Sequence, residues 1–568
     1  MPLDRRARVV VWVVHFAAVA VLLTTCAVYL NAPFRVDETE LAWQARDGVR
    51  VHGAPVVAHA ESNRELTPPA ARFKAQYGLW HPPLYLYILA IAGMMGPAEG
   101  WLRGVGVLCL LASLLLIWRM AREALGPDTP RAVVALPISL ALLSPLVVQG
   151  SLFVDIDNTL LATLMLLFIW EFTRPGDPLR PRRTLWLIAL LTVMMWTKLT
   201  TLPMVWLSCA IAAACGEQPV RKLVAIVGIG VGAVAVFSVT FGAYCAAFDL
   251  PIRFMSEMGF GGRRDLFASV KTLSAIARSA RWTIMWVSPA LVALIAVVTW
   301  ERVRQFDRRQ ALSALDVCLV LAVGMFVAYV PIGAMLGKYM MPAALMGAAF
   351  AGVRIARGWR TWRVPPMMVV VACAALLGIA VGRTPLPMLR ALPGGAPLVA
   401  GLDIRAISAV SVLVLVGLTA FAWSRGAGAR HGRDRLSVVG LSVALSLATI
   451  TSVQTARLVL APNDNGPLRA GYERDYRGLV ATLQREVPPR QAILSLKDEG
   501  FSANRRYHML EYYLMRPWDE LIAVARRPDT WGLVDSGIYP IVPAELIARL
   551  PVARVETVGT YRIYVFAH

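Results

Sequence analysis

Eight residues carry most of the chemistry that this chain could perform: the adjacent acids Asp37 and Glu38, then His81, Asp155, Asp157, Lys198, Lys338 and Tyr339. They are scattered through the sequence, yet each falls at the edge of an apolar run. An ionisable group at membrane depth is costly, so a set of them at the ends of separate runs points to a site rather than to decoration. The mixture of carboxylates with lysines and a histidine describes a place where anionic and cationic partners meet.

The elements that must hold these residues follow from composition. The chain has 568 residues, of which 57% are hydrophobic, and a mean hydropathy of +0.58. That exceeds what a soluble globular domain carries. A transmembrane helix needs about 20 mostly apolar residues, and runs of that kind recur between Val9 and Leu460. Residues 461–568 differ: 14 Lys/Arg stand against 13 Asp/Glu, so the formal charge of +21 belongs almost wholly to the membrane half.

A strong positive charge can mean nucleic acid, but here arginines sit in short clusters between apolar runs, the pattern of cytoplasmic loops. The clusters lie at 5–8, 119–131, 173–183, 221–222, 301–309, 354–363 and 424–435. Consecutive clusters on one side require an even number of crossings between them. Of the runs between the first two clusters, residues 84–96 are too short to span the bilayer, so the segment from Trp80 to Gly96 reads as an interfacial or re-entrant helix on the outer side. Crossings are then expected near 9–30, 101–118, 132–150, 158–172, 184–198, 200–215, 223–244, 282–300, 315–335, 339–356, 365–382, 404–423 and 436–460. The expected architecture is a polytopic α-helical membrane domain of about thirteen spans over residues 1–460, with an outer loop at 31–100, followed by an extracytoplasmic α/β domain at 461–568. A cleaved signal peptide is the alternative for the first run, which is longer than a usual signal core. The seven cysteines (26, 109, 209, 215, 245, 318 and 373) all lie in or beside spans, so no disulfide framework supports the outer domain.

On this topology all eight residues share the outer face. Each also has a plain structural use. Asp37 and Glu38 could be first-turn acids of a helix over 37–47, favoured by its dipole. Asp157 or Asn158 could cap the next span. His81 before Pro82 and Pro83 could merely open a helix, and Lys198 and Lys338 could snorkel to the interface.

Taken in order, Asp37-Glu38, His81-Pro82-Pro83-Leu84, Asp157, Thr197-Lys198 and Lys338-Tyr339 with Pro342 resemble the motif series of the glycosyltransferase-C superfamily. The similarity is greatest to the protein mannosyltransferase-like group that includes bacterial lipid A aminoarabinose transferases. The stretch VDIDN at 154–158 is also similar to the D-x-D motif of oligosaccharyltransferases in that superfamily. The resemblance implies an enzyme of the bacterial cytoplasmic membrane that moves a hexosyl or pentosyl group from a polyprenyl-phosphate donor to a lipid, glycan or protein acceptor at the outer face, with inversion. It implies catalytic roles for Asp37, Glu38 and Asp157, with Asp37 as the base that takes the proton of the acceptor hydroxyl. His81, Lys198, Lys338 and Tyr339 would bind the donor phosphate and stabilise the charge that it gains on leaving.

Aminoarabinose transferases place Glu-Lys before the Pro-Pro pair and hold zinc with that Glu and a His of a later outer loop. Here Trp80-His81 stands in the first position, and residues 245–281 contain no His. Asp37, Asp155 and Asp157 instead offer oxygen ligands suited to Mg²⁺ or Mn²⁺, without deciding between a metal and none. A transporter or flippase of a lipid-linked glycan is the competing class; it would place ionisable residues near the bilayer midplane and show repeated halves. In the outer domain, residues 473–487 read as a helix, 491–498 as a strand, 507–525 as a helix, 530–537 as a strand and 552–567 as a hairpin.

Overall fold

The structure, a computed structural model, describes residues 5–31, 44–50, 82–96, 99–156, 160–177, 179–199, 202–248, 289–306, 309–332, 337–357, 473–488, 491–496, 508–512, 518–536, 542–559 and 561–567, with isolated positions between them. The helices in chain order are α1 (Arg5–Tyr29), α2 (Leu84–Met94), α3 (Glu99–Leu125), α4 (Arg131–Leu142), α5 (Pro145–Leu152), α6 (Leu160–Thr173), α7 (Pro181–Thr197), α8 (Leu202–Ala213), α9 (Pro219–Ala247), α10 (Pro289–Arg304), α11 (Ala314–Ile332) and α12 (Met341–Ala356). The C-terminal part adds α13 (Glu473–Glu486), α14 (Trp518–Ala525), α15 (Ala544–Ile547) and strands β1 (Ala492–Leu496), β2 (His508–Tyr512), β3 (Thr530–Ser536), β4 (Val552–Val558) and β5 (Tyr561–Phe566).

Among the described residues, three helices are long and apolar enough to cross a membrane, within α1, α3 and α9. Their outward sides stay apolar: Trp12, Phe16 and Leu23 on α1 and Val220, Val231 and Val239 on α9 are all exposed. Water would not tolerate so continuous an apolar surface, whereas lipid tails cover it. The crossing expected at 132–150 is not one straight helix. It bends by 69° between α4 and α5, at Ser144-Pro145, where the proline nitrogen has no hydrogen to donate and its ring excludes the preceding turn. The expected crossings 158–172, 200–215 and 339–356 correspond to shorter apolar helices, and those at 365–382, 404–423 and 436–460 lie outside the described residues. A count of thirteen is therefore not fixed by the described helices. The segment expected to be interfacial is the short helix α2, held between Pro83 and Gly96.

The chain divides into two compact units. One comprises Met1–Tyr29, Gly106–Thr240 and Asp265–Arg469. At its centre runs α12, with every residue buried except Arg354, flanked by α4, α10 and α11. Its Ala and Gly residues allow close crossings: a Cβ at Gly352 would lie 2.4 Å from the Cα of Pro137 on α4. His15 of α1 ties α1 to α4, with Nε2 2.8 Å from the carbonyl of Ala132 and Nδ1 2.6 Å from the hydroxyl of Ser139.

The other unit comprises Leu30–Val105, Phe241–Arg264 and Ala470–His568. Its five-stranded sheet has the order β2-β1-β3-β5-β4, with β1 parallel to β2 and β3, and β5 antiparallel to β3 and β4. Alternate residues serve two cores. Leu494, Leu533 and Tyr564 pack with Leu521 of α14 and Leu546 of α15. Ile493, Val534, Ile563 and Val565 pack with Leu479 and Leu483 of α13. The helix expected over 507–525 is corrected at its start: His508–Tyr512 is a strand at the edge of the sheet, while Trp518–Ala525 is helical and residues 513–517 lie outside the described residues. Parallel pairing with β1 draws the HMLEY stretch into the sheet, although Met, Leu and Glu favour helices and of its residues only Tyr512 is of a strand-enriched type. The six described cysteines are free thiols.

Candidate active site

The first unit contributes a buried cation and two stacked rings. Lys198 follows the last residue of α7, its backbone extended (φ −161°, ψ 124°) and its N–H donated to the carbonyl of Met194. A β-region residue at this point stops the helix. Only 4% of Lys198 is exposed. Its ammonium lies 4.6 Å from the ring centroid of Tyr339, a distance at which the ring quadrupole attracts a cation. Tyr339 stands on a 3₁₀ turn, Gly337–Met340, that leads into α12, and its ring stacks on that of Tyr329 from α11 at 5.5 Å and 11°. Lys338 shares the turn; its side chain lies outside the described residues.

The same turn packs against α5. Three residues beyond the end of α5, Asp155 is 4% exposed on an extended segment that begins at Phe153. Asp157 and Asn158 lie outside the described residues.

In the second unit, Glu38 is completely buried and paired with Arg103, itself 2% exposed, near the start of α3. The guanidinium Nε donates to Oε1 at 3.1 Å and Nη2 to Oε2 at 2.9 Å, the two-pronged geometry that fixes angle as well as distance. A π-helical turn at Gln44–Val49 packs on α2. Nearby, the Tyr87 hydroxyl donates to the carbonyl of Gly53 at 2.6 Å; Gly53 has φ +76°, and its Cα faces the ring of Phe248. Asp37 and His81 lie outside the described residues.

The structure thus brings Lys198 and Tyr339 together in one unit and gives Glu38 a guanidinium partner in the other. Arg103 and Tyr329 were not singled out from sequence. Arg103 did leave a signal: it stands one turn inside an apolar run, at the end opposite to the arginine clusters, where the positive-inside pattern gives no reason for it. Among the described residues, no three His, Cys, Asp or Glu side chains form a metal-binding group. Asp155 is the one member of the oxygen-donor trio that is described.

Residues 80–241 match the family model of dolichyl-phosphate-mannose-protein mannosyltransferases. That stretch includes His81, Asp155, Asp157 and Lys198. The fold is similar to that of ArnT from Cupriavidus metallidurans, solved bound to undecaprenyl phosphate and in the apo state. The TM-score is 0.51 in both comparisons, at 15% and 16% sequence identity, and the match covers 98% of this chain and 97% of ArnT. No curated protein sequence matches the chain.

Proposed function

We propose that this membrane protein, whose fold is that of the glycosyltransferase-C superfamily, transfers a sugar from a polyprenyl-phosphate donor to an acceptor hydroxyl or phosphate at the outer face of a bacterial cytoplasmic membrane. The observation that carries the proposal is Lys198, a cation buried in a membrane-spanning unit and held over the face of Tyr339. A cation at this place can stabilise the charge that the phosphate of a lipid-linked donor gains as the glycosidic bond breaks. Full-length likeness in fold to a protein solved with undecaprenyl phosphate supports the same donor class.

In this proposal Asp37 takes the proton from the acceptor hydroxyl as its oxygen attacks the anomeric carbon. A positioned base typically contributes about 10² to 10⁴-fold. The polyprenyl phosphate departs from the opposite side, with inversion, and its developing charge is met by Lys198 and Lys338, with His81 and Tyr339 as further donors. Glu38, engaged on both oxygens by Arg103, positions its neighbour in place of the direct catalytic role expected from sequence. Asp155 and Asp157 supply oxygen donors; a hard divalent cation bound there would add positive charge for the phosphate. The C-terminal α/β domain, placed extracytoplasmically in this proposal, shapes acceptor access.

The test is donor turnover. Purified protein in nanodiscs, given a panel of polyprenyl-phosphate sugars together with lipid, glycan and protein acceptors, should release free polyprenyl phosphate from at least one donor as its sugar passes to an acceptor. Binding without release across the panel would favour a transporter and overturn the proposal.

A further inference from the structure

Among the described residues, Arg103 joins several residues at the start of the first outer loop to the start of α3. Besides its two bonds to Glu38, Arg103 approaches the carbonyl of Leu30 through Nη1 at 3.5 Å, and its guanidinium carbon lies 5.1 Å from the ring centroid of Phe34. One turn earlier, Gly100 leaves room for Asn31: a Cβ there would stand 2.3 Å from the Asn31 side-chain oxygen. Residues 30, 31, 34 and 38 therefore all meet the first turns of α3 within one unit.

Stability alone does not account for two charges at this depth. A buried ion pair is often no more stabilising than apolar residues of the same volume. What a bidentate pair adds is geometry, since two parallel donors fix both distance and orientation of the carboxylate. The residue bonded to Glu38 on its N-terminal side is Asp37. A reacting group carried on a loop needs such an anchor, because a misplacement of about 1 Å can cost 10²-fold in rate.

We infer that Arg103 is a positioning residue for the reaction: through Glu38 it sets the placement of Asp37, the proton acceptor. This inference rests on the role given to Asp37 above. It adds a residue from α3, remote in sequence from the acidic pair, and it separates the work of the two acids, Asp37 accepting the proton and Glu38 held by the scaffold.

The test compares Glu38→Gln/Arg103→Gln with wild type in nanodiscs, following thermal unfolding, donor affinity and turnover together. The double variant leaves no unpaired buried charge. It should fold and bind polyprenyl-phosphate sugar within about threefold of wild type, while kcat falls about ten- to hundredfold. Arg103→Lys, which keeps the charge but loses the fork, should show the same split and serves if the double variant does not fold. A merely structural pair would lower the unfolding temperature and the fraction of active protein, and leave kcat per folded molecule unchanged. Near-wild-type kcat in the folded variants, with Asp37→Asn inactive, would overturn the inference and leave the base assignment standing. Wild-type turnover in Asp37→Asn would instead overturn the base assignment, and the positioning role with it.

Discussion

The ammonium of Lys198 and the ring of Tyr339 face one another at 4.6 Å, and the ring is backed by Tyr329. The lysine comes from the end of α7 and the tyrosine from the turn before α12, so the pair joins two helices while keeping a cation out of water.

Removing that cation should weaken the interaction with an anionic donor, and more so in the transition state. Lys198→Ala, Lys338→Ala and His81→Ala are compared for donor affinity and turnover. A contact to phosphate is worth about 1.5 to 3 kcal/mol, so at least two of the three should lose about tenfold or more in kcat/KM, one decade being about 1.4 kcal/mol. Near-wild-type values for all three would remove the phosphate-binding role from the whole set.

The ring should matter more to Lys198 than the hydroxyl. Tyr339→Phe keeps the π face and is expected to retain ground-state donor affinity within about threefold while losing turnover with the hydroxyl's donation to the leaving phosphate, whereas Tyr339→Leu also forfeits a cation–π contact of about 0.5 to 2 kcal/mol and should bind more weakly. Equal affinities for the two variants would show that the ring does not hold the ammonium in place for the donor.

Asp37→Asn should leave the protein folded and able to bind donor but nearly abolish transfer, because an amide cannot accept the proton. Single-turnover release of polyprenyl phosphate measures this directly. Wild-type release by this variant would exclude the carboxylate as the base.

Topology is tested by a thiol reagent that does not cross membranes. Cysteines introduced at Ser62 and Ser502 should be labelled from outside, and those at Asp128 and Arg180 should be labelled only after permeabilisation. Labelling of Asp128 or Arg180 in intact cells would reverse the orientation assigned from the arginine clusters.

Packing at the centre of the membrane unit should be intolerant of side-chain volume. Gly352→Val would drive a side chain into the backbone of Pro137 and should destabilise the protein by about 1 to 3 kcal/mol. Thermal unfolding in detergent would register this as a lower midpoint, while Gly104→Val, where a Cβ meets nothing within 4 Å, should have a much smaller effect.

Much of this organisation is local and was therefore legible in the residues. Hydropathy over Val9–Leu30 specifies α1 because a membrane helix satisfies its own backbone bonds and needs only apolar side chains outward. The same logic identified α2 as too short to cross, and the strand-like stretch 552–567 was legible as a hairpin, which β4 and β5 form. The ordered motifs placed Lys198 beside a helix end, which the structure shows. Partners were not legible. Nothing in the sequence around Glu38 names Arg103, 65 positions away, and nothing around Lys198 names Tyr339 or Tyr329, because such contacts depend on how separate helices pack. The bend at Pro145 and the switch of His508–Tyr512 from expected helix to strand have the same origin. A proline permits a kink, but neighbouring helices determine whether it is used, and a short amphipathic segment takes the structure of whatever it pairs with, here the open edge of β1. Sequence determined which segments are helices and which residue types carry the chemistry; tertiary packing decided which charges are buried against which partners.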